Sequence, residues 1–333
     1  MRWLIRHAVK GLLYAVLTIL LSMHITFILV NNMPGDPVER IARELMWMHG
    51  YTYEQAYKIA SVTYALAAGN KTLAEKYFEY LNMLLRLNLG YSFTYGTSVN
   101  RVIVESLPWT LLVGIPGIII GFTLGAFLGS FSALQRKKLP DTILITAFTV
   151  IDSTPSFLIA LLLIFVFAVG LGVLPAQGAT EPGVSPGFTL EYIGGVARRV
   201  ILPVLSYAIP AAAGWYFTMR SVAVSSLGED FVLFAQARGV EERRIVKTYV
   251  MRSGLLPMVA GLAIAFGLIV GGSLLIETIF AYPGMGYHFV VGFNNHDYGL
   301  LQGLFLAQAI TLSLANLVAD IVYPILDPRV RYL

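Results

Sequence analysis

The chain has 333 residues, of which 57% are hydrophobic and 13% charged, with a formal net charge of +4 and no cysteine. Soluble domains carry about 25% charged residues, and roughly 20 apolar residues span a bilayer, so this composition excludes an ordinary soluble domain. It predicts an all-α polytopic membrane protein without disulfides or cysteine-based sites. Lysine and arginine collect on the cytoplasmic side of membranes, so the positive charge is expected from lipid surroundings and indicates no nucleic-acid partner.

The first predicted element is a transmembrane helix at about residues 10–31, which with its basic tail occupies residues 1–33. The charge pattern of this region also fits a secretory signal peptide. However, the apolar run 11–30 is longer than a signal core, and no small-residue cleavage site follows it. We therefore predict a retained helix that ends at the sequence NNMPGDP, where prolines lack backbone donors.

Residues 34–107 form a long segment after the first predicted helix. The segment contains helix-like amphipathic patches, such as LAEKYFEYLNMLLRL, but too many charges to cross a bilayer. We expect it to be extracytoplasmic. The tripeptide NKT at 70–72 matches the acceptor sequence for N-glycosylation, a pattern that is common by chance.

Residues 108–333 contain five further predicted membrane helices. These lie at about 108–133, 141–170, 200–223, 255–279 and 300–323. Pro155 is expected to kink the second of them. Lysine and arginine are concentrated in the N-terminal tail, in the loop after helix 2, in the loop 225–257 and in the C-terminal tail. The positive-inside rule therefore predicts six transmembrane helices with both termini in the cytoplasm.

Polar side chains fall within or near the predicted membrane helices. The acidic ones are Asp152, Glu277 and Asp320, and those on one arc of the last helix include Gln308, Thr311 and Asn316. A charge inside a membrane is costly, so the acidic residues are either pathway or gating groups or are hydrogen-bonded near helix ends. The polar arc suits either a solvated pathway or a close helix partner. The candidate pathway or gating residues are Asp152, Glu277, Gln308, Thr311 and Asn316.

No metal site is predicted from the histidines. His288, His296 and Asp297 have no supporting carboxylate cluster or pair at helical spacing, so they are interpreted as ordinary loop residues.

The charged stretch EDFVLFAQARGVEERRIVKTYVMRSGLLP, residues 229–257, interrupts the apolar chain. Its pattern predicts a first amphipathic helix with Phe231, Phe234 and Ala235 close together on one face. Gly239 suits the left-handed position that ends such a helix. A second helix is predicted over 240–253, and Pro257 is expected where it turns into helix 5. This arrangement fits either a groove on another protein or the headgroup region of the membrane.

The same stretch resembles the EAA-type cytoplasmic loop of ABC importer permeases. The matching positions are Glu229, Ala235, Ala237, Gly239, Leu256 and Pro257. The chain also resembles the dipeptide/oligopeptide/nickel branch of these permeases nearly end to end. The motifs that carry this resemblance are PGDP after helix 1, LG-S at 89–92, SLPWTL before helix 2, ILP at 201–203, ETIFAYPGMG at 277–286, DYGLLQG at 297–303 and the terminal NLVADIVYPILDPRVR.

The resemblance implies a type I ABC importer permease fold and a transmembrane subunit that forms the pathway for di- and oligopeptides. The implied ATPase-coupling loop comprises Glu229, Asp230, Phe231, Phe234, Ala235, Ala237, Arg238, Gly239, Val240 and Pro257. The implied partners are a second, related permease chain, two cytoplasmic ATPase subunits and an extracytoplasmic solute-binding protein. The implied location is the plasma membrane of a bacterium or archaeon.

The chain contains no G-x-x-x-x-G-K-[ST] phosphate loop, so ATP and magnesium are expected on the partner ATPases and no cofactor on this chain. Import of oligosaccharides or nickel by the same architecture is an alternative. An ATP-independent channel or secondary transporter is an alternative of another class. A membrane-embedded hydrolase is disfavoured, since no convergent nucleophile–base pair is visible.

Overall fold

A computed structural model of the chain describes residues 2–32, 38–39, 42, 45–46, 49–68, 72–269, 271 and 274–326. The NNMPGDP motif beyond Asn32, the Asn70 of the glycosylation pattern and the tail after Leu326 lie outside the described residues. The longest helices are α1 (Arg2–Asn31), α4 (Val99–Leu134), α7 (Leu190–Ser226), α10 (Met251–Ile269) and α13 (Tyr298–Leu326). The molecule is an all-α membrane protein.

Shorter elements connect these helices. They are α2 (Tyr53–Ala68), α3 (Leu73–Leu85), strands β1 (Tyr91–Ser92) and β2 (Thr97–Ser98), α5 (Leu139–Asp152), α6 (Ser156–Leu163) with a π-helical continuation (Ile164–Gly170), α8 (Asp230–Ala237), α9 (Glu242–Ile245) with a π-helical continuation (Val246–Val250), α11 (Leu274–Ile279) and α12 (Met285–Asn294). The two strands form an antiparallel hairpin in which Tyr91 pairs with Ser98.

Four helical segments of the described chain are long and apolar enough to cross a membrane. They are Val9–Leu29, Val99–Leu134, Leu190–Ser226 and Tyr298–Ile321. The pair Leu139–Asp152 and Ser156–Gly170 supplies a fifth span if its two halves are counted together, although they meet at an angle of 100°.

The second predicted helix begins earlier than the sequence suggested. It starts at Val99 and not near residue 108, because the Ser98 hydroxyl accepts a hydrogen bond from the Arg101 backbone N–H and caps the helix. Pro108 and Pro116 lie inside this helix. Membrane helices tolerate interior prolines when neighbouring groups satisfy the freed carbonyls. The proposed boundary between residues 107 and 108 therefore falls within one continuous helix.

The third predicted helix is not continuous over 141–170. α5 ends at Asp152, and α6 begins again after Pro155, which has an extended ψ of 137° as its N-cap. A proline cannot donate to the preceding turn and excludes helical geometry from the residue before it, so the chain bends sharply here instead of kinking mildly.

The remaining predicted boundaries also shift. The helix predicted at 200–223 extends over Leu190–Ser226 and is capped by Thr189. The one predicted at 255–279 is divided between α10 and the separate α11. The loop predicted over 280–299 contains α12, and the last helix starts at Tyr298.

A seam of glycines brings α4 and α7 into close contact. A Cβ atom at Gly121 would be 2.9 Å from the Ala208 carbonyl oxygen, and one at Gly129 would be 2.6 Å from the Tyr216 carbonyl oxygen. Membrane helices pack closely where small residues let the two backbones approach. The glycines of α4 therefore let its backbone contact that of α7 directly.

The extracytoplasmic segment predicted from the sequence is partly helical and packs on the bundle. The side chains of Met23 and Phe27 from α1, Tyr80 from α3 and Leu306 from α13 form one apolar cluster. Thr72 caps α3 through reciprocal hydrogen bonds with Glu75. The helix-like patch LAEKYFEYLNMLL is therefore a helix, α3, whose side chains pack against those of both α1 and α13.

Candidate functional site

The first helix of the charged stretch ends in a hydrogen-bonded glycine turn. Gly239 has a φ of +74°, in the left-handed region that the sequence predicts for it. Its N–H donates to the Gln236 carbonyl at 2.9 Å, and the Val240 N–H donates to the Ala235 carbonyl at 3.1 Å. These two bonds form a Schellman motif, which reverses the chain directly after α8.

One side of α8 is anchored to the bundle. Val232 is fully buried and Ala235 is 4% exposed, and both belong to an apolar cluster with Ala133 of α4 and Ala223 of α7. Ile245 and Val250 of the second helix complete this cluster, and half-buried Val240 packs against it. The sequence pattern places Ala235 on one face with Phe231 and Phe234, but Ala235 faces the bundle whereas the two phenylalanines are exposed.

The opposite side of α8 is exposed and apolar. Phe231 is 43% exposed and Phe234 is 65% exposed, while the Arg238 guanidinium lies 5.8 Å from the centre of the Phe234 ring. Glu229 at the N-cap position, Asp230 at the first position of the helix and Ala237 at its last are all exposed. We call the residues of this side, Glu229, Asp230, Phe231, Phe234, Ala237 and Arg238, the α8 surface. Its apolar centre and charged ends suit docking into a groove on another protein.

The second helix of the charged stretch differs from the expectation. It begins at Glu242 and continues through the π-helical turn Val246–Val250 into α10. Pro257 consequently lies inside α10 and not at a junction. The Phe231 and Tyr249 rings are 6.4 Å apart, so the two helices are in contact across the glycine turn.

Glu277 belongs to the short helix α11, which follows the end of α10 that is remote from α8. It is 2% exposed, and its Oε2 accepts hydrogen bonds from the Gly286 N–H at 2.8 Å and the Tyr287 N–H at 3.2 Å. The Thr110 hydroxyl accepts from the Met285 N–H at 2.8 Å. A carboxylate is favoured at the positive end of a helix, so Glu277 and Thr110 together hold the N-terminus of α12. Of the two interpretations for Glu277, this geometry matches the hydrogen-bonded helix end.

Asp297 forms a buried network that sequence reasoning missed. It is 1% exposed, and its Oδ2 accepts from the Ser92 hydroxyl at 2.6 Å and from the Thr94 N–H at 2.9 Å. Its Oδ1 accepts from the Leu300 N–H at 3.1 Å. The motifs LG-S and DYGLLQG, about 200 residues apart, are thus joined directly. The sequence contains both motifs, but nothing in their spacing predicts that they contact each other.

Replacing Asp297 by alanine is expected to release the hairpin from α13. The change leaves one hydroxyl and two backbone N–H groups without their acceptor, which costs roughly 1–3 kcal/mol for each buried group. We expect faster hydrogen exchange over residues 89–98, measured by mass spectrometry. The matched change Glu181→Ala removes an exposed carboxylate that binds Arg199, and should leave exchange in the hairpin unaltered. Unchanged exchange in the Asp297 variant would contradict this assignment.

His288 packs on the same hairpin. Its Nδ1 lies 2.7 Å from the Tyr95 hydroxyl. Burial lowers the pKa of His288 and raises the pKa of Tyr95 to about 12, so both side chains are neutral near pH 7. No group of three or more potential metal ligands occurs among the described residues.

A cavity of about 410 Å³ lies between α7, α10 and α13. Its lining consists of Tyr207, Leu268, Gly271, Leu274, Met285, Phe289, Leu304, Phe305 and Gln308. The Gln308 Oε1 is buried against Gly271 and has no hydrogen-bond partner among the described residues. Apart from the Tyr207 hydroxyl and the Gln308 amide, the side chains that line this cavity are apolar.

The other candidate pathway residues do not converge on this cavity. The Thr311 hydroxyl donates to the Ala307 carbonyl of its own helix at 2.9 Å. Asn316 and Asp320 are exposed on α13, and Asp152 is exposed at the end of α5. Gln308 is thus the one residue of the predicted set that lines the cavity described above.

Comparison with known proteins places the chain in a transport family. Residues 121–332 match the family described as binding-protein-dependent transport system inner membrane component. The chain is 33% identical over 326 residues to the oligopeptide transport system permease protein of Haemophilus influenzae, covering 97% of this chain and 98% of that protein.

Two further relatives extend over nearly the whole chain. One is the dipeptide transport system permease protein of Lactococcus lactis, 30% identical over 330 residues, with 98% of this chain and 100% of the relative covered. The other is the glutathione transport system permease protein of Salmonella choleraesuis, 28% identical over 329 residues, with 99% and 100% covered. With its long apolar helices and its α8 surface, this chain belongs to the family of inner membrane components of binding-protein-dependent transport systems, and is a permease subunit.

Proposed function

We propose that this chain is the permease subunit of an ATP-driven importer of di- and oligopeptides. The observation that carries this proposal is full-length similarity to permeases named for oligopeptide, dipeptide and glutathione transport. Those names favour peptides over oligosaccharides or nickel as the solute.

Six transmembrane helices with both termini in the cytoplasm remain our proposed topology. The α10–α11 region contributes the fifth helix, and the bent α5–α6 pair contributes the third. The positive-inside distribution of lysine and arginine supports this orientation. It puts α8 in the cytoplasm and the hairpin, α11 and α12 on the outside, where a solute-binding protein delivers its cargo.

The α8 surface is the proposed docking site for a cytoplasmic ATPase subunit. Its exposed rings can enter an apolar cleft, and its buried side is fixed to the ends of α4 and α7. A movement imposed on α8 therefore acts on the membrane helices. A second, related permease chain and a second ATPase complete the transporter. ATP and magnesium bind to the ATPases, since this chain carries no phosphate loop.

The proposal is tested in proteoliposomes. The purified chain alone should hydrolyse no ATP, and the complete transporter should accumulate labelled trialanine only with ATP and its receptor protein. Accumulation of trialanine by the permease chains without ATPase would support the channel or secondary transporter instead. Import of a sugar or nickel in place of trialanine by the complete transporter would change the solute class.

A further inference from the structure

A shielded ion pair joins three helices at the α8 end of the bundle. Arg220 of α7 donates to Asp141 of α5 from Nε and from Nη2, both at 2.9 Å, and the two side chains are 22% and 5% exposed. Ser132 of α4 donates to the same carboxylate at 2.5 Å and shares a 2.7 Å hydrogen bond with the Tyr216 hydroxyl. We call Ser132, Asp141, Tyr216 and Arg220 the ion-pair network.

The network lies beside the apolar cluster that receives α8. Ala133 directly follows Ser132 along α4, and Ala223 lies about one turn beyond Arg220 on α7. Both alanines are buried in the cluster that includes Val232 of α8. A displacement of α8 therefore acts on the two helix ends whose relative position the network fixes.

The other side of the network reaches along α5. The Tyr216 ring stacks on Phe148, with centroids 4.2 Å apart and planes inclined by 15°. Phe148 lies about two turns after Asp141. α5 is thus held at its start by the ion pair and further along by the stacked rings, and it ends at the 100° bend into α6.

We propose that Asp141 and Arg220 are positioning residues for energy coupling, which transmit a movement of α8 to α5. This inference rests on the proposed function, in which α8 receives that movement from an ATPase. A bidentate arginine–carboxylate pair fixes both the distance and the angle between two helices. An apolar pair of similar volume would fill the same space without fixing the angle, and such replacements often preserve stability. The pair therefore determines the direction in which a movement of α7 is passed to α5, in addition to packing the two helices together.

The test replaces both members together, as Asp141→Leu with Arg220→Met, in the complete transporter. Removing one member alone would leave the other as a buried charge without its partner and would destabilise the protein. A lower import ratio could then result from unfolding and not from lost coupling. The ratio of trialanine imported to ATP hydrolysed is measured in proteoliposomes with the receptor present. We expect the double variant to assemble and hydrolyse ATP while this ratio falls about tenfold, within the range of typical coupling between sites.

The matched control is Glu181→Leu with Arg199→Met, which removes the arginine–carboxylate pair between Arg199 in the N-terminal part of α7 and Glu181 in the loop before it. Its import ratio should equal that of the wild type. If the Asp141 and Arg220 double variant also keeps the wild-type ratio, the network only holds the fold and the proposal is overturned.

Milder variants decide the question if the double variant does not assemble. Arg220→Lys keeps the positive charge but cannot donate two hydrogen bonds to Asp141 in the geometry of a guanidinium group. Tyr216→Phe keeps the ring that stacks on Phe148 but loses the hydrogen bond to Ser132. A reduced import ratio in both supports the network, and a wild-type ratio in both refutes it. Failure of the wild-type transporter to import trialanine would count against the proposed function instead, because the variants are judged only against a coupled wild type.

Discussion

Replacing Gly125 by leucine is expected to prevent the stable packing of α4 against α7. A Cβ atom at this position would be 2.5 Å from the Trp215 Cβ and 2.7 Å from the Ala212 carbonyl oxygen. Backbone atoms cannot rotate away as a side chain does, so the two helices must separate. We expect a loss of about 3 kcal/mol or more, at the upper end of measured costs of overpacking.

The measurement is thermal unfolding of the purified protein, followed by size-exclusion chromatography after heating. Gly214→Leu is the matched control, because Gly214 lies on α7 with nothing within 4 Å of an added Cβ. Leucine has a higher helix propensity than glycine, so this control should be neutral or slightly stabilising. Equal melting temperatures for the two variants would show that α4 and α7 are not held by close backbone packing.

Replacing Gly239 by valine is expected to uncouple ATP hydrolysis from import while the protein remains folded and inserted. A side chain at a φ of +74° costs roughly 1–2 kcal/mol, although there is open space around this position. The chain relieves this strain by leaving the left-handed conformation. The Schellman turn then opens, and α8 no longer presents its surface in the same direction.

We expect import per ATP to fall about tenfold, and the free energy of unfolding to fall by no more than the roughly 1–2 kcal/mol of this strain, because opening the exposed turn relieves it. Gly228→Val is the matched control at the other end of α8. A Cβ there meets only the Ser225 carbonyl oxygen, at an ordinary 3.7 Å. Normal uptake by the Gly239 variant, or equal losses in both variants, would argue against a specific role for the glycine turn.

The composition and the local pattern predicted much of this architecture. Apolar runs identify membrane helices because no other single-segment structure satisfies its backbone inside lipid. Gly239 was predicted in the left-handed region because the preceding amphipathic pattern ends there, and its φ agrees. The family was recognised from motifs in the right order, and the comparisons confirm it.

Boundaries and side-chain partners were predicted less well. The start of α4 at Val99 depends on the Ser98 cap, and the 100° angle between α5 and α6 is much larger than the kink that Pro155 alone predicts. A hydropathy profile indicates neither the position of the cap nor the angle between the two helices. The pattern groups Ala235 with Phe231 and Phe234 although only Ala235 is buried, because helical periodicity defines a face but not what each of its residues contacts.

The sequence by itself determined that this chain is a helical membrane protein with a charged, glycine-broken loop, because these properties depend on composition and local backbone preferences. Only the tertiary structure decided which distant groups meet. It paired Ser92 with Asp297 and Asp141 with Arg220. It also brought both Thr110 and Glu277 to the N-terminus of α12. The physical reason is that a buried polar group takes whichever partner the packed helices bring within hydrogen-bond distance, and sequence separation does not limit that choice.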